Sequence, residues 1–154
     1  REVRIAAGAS FYAGASGTPV GSGQVYTGDG DVYGSLNVAM NGVIACGPAE
    51  ALTLERLVFQ PGGIFRWVCG ADGSHQPVEV GDLILPQGVV VVDVDTPEEK
   101  VRPTGVLIRY SGEIVDNGAS WNVHGDHPET AVVVDRKRKM IRLTTPTGTL
   151  IRLL

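Results

Sequence analysis

Apolar residues along this chain come in short, largely β-branched runs cut at close intervals by glycine and proline. The densest stretch is Val78 to Thr96, where Leu83-Ile84-Leu85 and Val89-Val90-Val91-Val92 stand beside the turn signals Gly81-Asp82 and Pro86-Gln87-Gly88. This predicts two short strands meeting at a tight turn. Because Val89 to Val92 is apolar on successive residues, both of its faces are expected to be covered, with apolar/polar alternation only from Val92 to Asp95. The segment Asp95 to Lys100 closes the unit, since Pro97 cannot donate to a ladder and the charges favour water.

The same punctuation runs through the rest of the chain. Gln24 to Tyr26 reads as a strand, Thr27 to Gly30 as a turn and Asp31 to Val38 as a strand with Val32, Gly34, Leu36 and Val38 on one face. Asn41-Gly42 predicts a type I′ hairpin leading into Val43 to Cys46, because that turn needs positive φ at both central residues. Ala49 to Phe59 begins with a helical look, but the alternation around Leu52 and Leu54 favours a strand. Further strands are expected at Ile64 to Cys69, Gly105 to Tyr110, Glu113 to Val115 and Thr149 to Leu153. Ala131 to Val134 and Met140 to Leu143 flank the charged tip Asp135 to Lys139 as a hairpin. The fold class predicted is all-β: a β-sandwich or barrel of about ten short antiparallel strands, with a β-solenoid as the alternative although no fixed-length repeat is present.

Residues 1–23 stand apart from this pattern. After Arg1 to Ile5 the stretch is small and glycine-rich, and its only anchors are Phe11, Tyr12 and Val20. It reads as an extended N-terminal arm before a single all-β domain, 24–154. Such a segment buries too little surface to order itself, so its own domain or another subunit must hold it. In a reach across to a neighbour, Phe11 and Tyr12 are the expected buried anchors.

Composition agrees with strands. Twenty-one glycines and nine prolines are too many for ordinary helices, while 43% hydrophobic residues is too many for disorder. A net charge of −4 argues against nucleic acid or an anionic membrane as partner. There is no run of eighteen apolar residues, so neither a membrane-spanning helix nor a signal peptide is expected. Cys46 and Cys69 fit a buried reduced pair as well as a bridge.

Chemistry-bearing clusters are few. His124-Gly125-Asp126-His127 puts two imidazoles and a carboxylate beside Trp121, but a metal site needs further ligands that no second cluster supplies. Asp29-Gly30-Asp31 and Asp93-Val94-Asp95 each offer two carboxylates but read as solvent-exposed, and the first lacks the remaining oxygens of a calcium loop. No G-x-S-x-G elbow or phosphate loop occurs. The basic run Arg136 to Lys139 reads as a solvated hairpin tip. No catalytic, cofactor or metal residue is assigned, and the residues expected to make contacts are Phe11, Tyr12, Trp121, His124 and His127.

The C-terminal third, carrying Ser111-Gly112, Asp116-Asn117 and Val133-Val134-Asp135-Arg136, resembles the C-terminal β-modules of some phage tail proteins over about forty residues. The glycine-rich stretch before Gln24 is similar to arms with which virion proteins grip neighbours. The resemblance implies a non-enzymatic structural component of a phage, on the tail or decorating the capsid, located in the virion or outside the cell. Its partners would be copies of itself, as a homo-oligomer, and other virion proteins. Two alternatives remain open: a secreted carbohydrate-binding domain stacking sugars on Trp67, Trp121 and Tyr110, and a metal-dependent hydrolase using His124, Asp126 and His127.

Overall fold

A computed structural model describes residues 1–70, 75–96 and 103–146. These contain fourteen strands in two sheets and no helix. The smaller sheet is ordered β1 (Glu2–Ile5), β3 (Val25–Gly28), β5 (Val43–Cys46), β7 (Ile64–Val68), β9 (Val89–Asp95) and β12 (Ser120–His124). The larger runs from β2 (Ser10–Val20) through β4 (Asp31–Val38), β6 (Thr53–Phe59), β8 (Val78–Leu85) and β10 (Gly105–Tyr110) to β14 (Met140–Thr144) and β13 (Ala131–Asp135). β11 (Ile114–Asp116) continues the row beyond β10 by pairing with β8.

From β1 to β10 successive strands alternate between the sheets, and each of β1 to β8 pairs in parallel with the strand two further on. The chain therefore winds as a two-sheet coil. This corrects the antiparallel expectation, and the described residues form no closed barrel. Among the described residues only β14 pairs antiparallel, with β10 and with β13, so the hairpin around the basic tip forms as its sequence predicts. Stacked positions are close in sequence at Val25 and Val43 and much further apart at Val91 and Asn122, so the coils lengthen along the chain and no fixed repeat exists to be found.

The turn signals are used as corners. Pro86-Gln87-Gly88 carries the chain from the larger sheet to the smaller, and β8 and β9 do not pair with each other. Gly81-Asp82 lies within β8 instead of ending it. Asn41 takes positive φ (63°), yet Asn41-Gly42 links β4 to β5 across the two sheets and makes no hairpin. A Cβ on Gly42 would run into the carbonyl oxygen of Val20, so glycine is what lets the first coil close against this corner.

The core lies between the sheets. Val20, Leu36, Val38, Ile44, Leu57, Leu83, Val90 and Val92 are wholly buried there. Val89 is 40% exposed and Val91 half-buried, which corrects the expectation that the valine run is covered on both faces; a strand in this sheet packs on one side only. Cys46 and Cys69 are buried, and neither forms a disulfide among the described residues. The strand expected at Thr149 to Leu153 and most of the segment expected to close the central unit fall outside the described residues.

Residues 1–23 form the first coil. β1 lies beside β3, β2 lies beside β4, and Ile5, Ala13 and Val20 enter the common core, so they are not an extended arm. Two register shifts in β2 around Gly14 accommodate its extra small residues.

Candidate functional site

Consecutive residues of a strand face opposite sides, which separates the two aromatics expected to act together. Phe11 turns inward and meets Tyr26 edge to face, with ring centroids 5.7 Å apart. Tyr12 turns outward, 77% exposed, and is no buried anchor. Tyr12 and Tyr33 are register partners in β2 and β4, and parallel pairing stacks their rings at 5.4 Å with 20° between planes. Tyr33 is itself 45% exposed, so the pair forms a flat aromatic step on the outer face of the larger sheet.

A groove of about 390 Å³ runs from this step across β6 and β8 to Ser111. Its shape follows from two local features. The β4–β6 register shifts between Val32 and Ser35, and Glu55 Oε1 accepts a hydrogen bond from the Gly34 N–H at 2.7 Å. Beside Glu55, Gly81 contributes no side chain, and a Cβ there would strike the Glu55 carbonyl oxygen. A trough is left between Tyr33 and Ser111. Asp31, Thr53 and Glu79 stand in register along one side, and Glu79 reaches Arg109 of the next strand at 3.5 Å. Asp82 continues the acidic face and accepts from the Glu113 N–H at 2.8 Å. Arg56 and Asp82 line an adjoining hollow that shares Glu55 with the groove.

The basic run closes the far end. Arg136 pairs with Asp116 at 3.4 Å, Arg138 approaches Asp135 at 3.8 Å, and Lys139 Nζ donates to the carbonyls of Ser111 and Gly112 at 3.2 Å each. All four basic side chains from Arg136 to Lys139 are on exposed residues. The larger sheet thus carries an aromatic, mainly acidic half on β2 to β8 and a half at β10 to β14 where Arg109 and the basic tip outnumber Glu113, Asp116 and Asp135.

The other contact residues lie elsewhere. Ser120, Asn122 and His124 are exposed on β12, whereas Trp121 and Val123 pack against the core, so Trp121 and His124 face opposite ways. His127 sits in the following turn, its side chain 13% exposed and 3.4 Å from Glu129. Among the described residues no group of three or more His, Cys, Asp or Glu converges on a metal position. Asp29 serves the backbone, accepting from the Ala51 N–H at 2.7 Å.

Two of the rings expected to stack sugars are in the core: Trp67 is 2% exposed, packed on His75, and Tyr110 is 4% exposed. Burial also pushes the Tyr110 hydroxyl above its ordinary pKa. Sequence reasoning missed Tyr33 as a surface group. Its signal was Tyr33 alternating with the inward Val32, and Tyr12 became its neighbour only through pairing between coils. No protein-family model, curated protein or solved structure matches this chain.

Proposed function

We propose that this protein is a non-enzymatic structural component that works through subunit contacts, including contacts with copies of itself. The observation that carries this reading is the Tyr12–Tyr33 step, two stacked and exposed rings on a charged sheet face. Exposed tyrosine offers large, rigid contact area at low entropic cost and is enriched where proteins bind one another. The placement in a phage particle, on the tail or decorating the capsid, rests on the resemblance of the C-terminal third. The test is the mass of the full chain by light scattering over a range of concentrations, with electron microscopy of the source particle. A concentration-dependent oligomer present in the particle is the expected result; a lone monomer with no particle association overturns the reading.

The same tyrosine step favours a second reading, a carbohydrate-binding domain, since a flat ring beside the carboxylates of Asp31 and Glu79 suits a sugar's apolar face and hydroxyls. A glycan array distinguishes the two. Binding lost in Tyr12→Ala, from a protein that stays monomeric, selects the sugar.

A further inference from the structure

The geometry points to two copies of this chain docking through the outer faces of their larger sheets, the basic β13–β14 tip of each copy lying in the aromatic and acidic groove of the other. This rests on the self-association reading above and names the surface that performs it. Three observations lead to it.

The first is the division of charge on one face. Asp31, Glu55, Glu79 and Asp82 stand on β4 to β8 against Arg56, while in the other half Arg109 and the exposed tip from Arg136 to Lys139 outnumber Glu113, Asp116 and Asp135. Two copies stacked in the same direction would set like charge on like. Turned by a two-fold rotation, each acidic half meets a basic half, and the contact is made twice and closes at two subunits.

The second is what the groove offers a cation. Tyr33 lines it and Tyr12 stacks on Tyr33, so the groove ends on exposed aromatic rings, whose quadrupole attracts an ammonium or guanidinium alongside the carboxylates. Asp31 is exposed beside them and makes no side-chain hydrogen bond or ion pair among the described residues.

The third is the state of the tip. Lys139 is tied to the carbonyls of Ser111 and Gly112, which fixes the hairpin's position at the groove's end, and Arg136 and Arg138 are held by Asp116 and Asp135. Lys137, at the centre of the turn, has no ion pair among the described residues. The hairpin is thus anchored while its leading charge remains available to a partner.

The experiment compares full-length wild type, Lys137→Glu with Arg138→Glu, Asp31→Lys, and an equimolar mixture of the two variants, by sedimentation or light scattering at low and high salt. All these positions are exposed, and unfolding curves confirm that each variant is folded. Wild type is expected to dimerise, more weakly as salt rises, because exposed charge pairs are screened beyond about 8–10 Å at physiological ionic strength. Each variant alone should dimerise about tenfold or more weakly, and the mixture should recover most of the loss as a heterodimer. A wild-type oligomer unmoved by salt and by both reversals overturns the tip-to-groove contact and leaves the self-association reading standing. So does weakening in both variants with no recovery in their mixture. A wild type that is monomeric at every concentration overturns both.

Discussion

Residues 1–23 and residues 64–95 both supply strands to the two sheets, but from opposite materials. The later stretch fills its inner positions with Phe65, Trp67, Val80, Leu83, Leu85, Val90 and Val92, all buried. The first coil has Ile5, Ala13 and Val20 there, with Phe11 half-buried, and spends much of β2 on alanine, serine and glycine. Its side chains alone would not offset the cost of ordering it. What holds it is the backbone ladder offered by β3 and β4, which are already fixed by the coils behind them. In a parallel coil each turn is stabilised mainly by its neighbour, so a poor sequence can be templated by a good one.

The largest effect is expected on the rich side. Leu83 is wholly buried at the centre of the larger sheet, and Leu83→Ala should cost about 2–5 kcal/mol from lost burial plus the cavity left behind. Urea denaturation measures it, and a loss under about 1 kcal/mol would mean that the central coils do not carry the core.

Alkaline pH probes the middle of the coil next. Burial pushes the Cys46 thiol up to about 11 from 9.0, so the folded chain keeps this proton where the unfolded chain has lost it. Stability should therefore be unaffected by this group below about pH 9 and fall as pH rises toward 11, by about 2–3 kcal/mol. Buried Tyr110 is shifted in the same direction. Thermal unfolding of wild type and Cys46→Ala from pH 8 to 11 isolates the thiol: the variant should lose less, and parallel curves would show that Cys46 is not desolvated as described.

Gly42→Ala tests how far the poor coil depends on its neighbour. The new methyl group would press on the Val20 carbonyl at the corner between β4 and β5, at a cost of about 1–3 kcal/mol. Hydrogen exchange should quicken in β2 more than in β6 or β8, because the first coil is the part that can peel away. Uniform quickening would show that the coils open together. The smallest effect is expected from Asp29→Ala, which frees the Ala51 N–H and should cost about 0.5–1.5 kcal/mol. Denaturant midpoints would register it, and no change would show that water replaces the carboxylate.

Local patterning determined that this chain is all-β and where most strands from Val25 onward lie, because alternation and glycine or proline punctuation act within a few residues. The β13–β14 hairpin was legible for that reason: its partners are adjacent in sequence. β12 was missed, although Trp121 and Val123 alternate there with polar neighbours. The parallel winding was decided only in three dimensions. A turn dipeptide such as Asn41-Gly42 sets φ and ψ over two residues and serves a corner as well as a hairpin, whereas the choice of ladder partner depends on strands a whole coil away. The tyrosine step and the divided charge of the larger sheet arose the same way. Tyr12, Tyr33, Glu55, Gly81 and Ser111 lie on successive coils, and nothing in their sequence spacing brings them together until parallel pairing stacks those coils side by side.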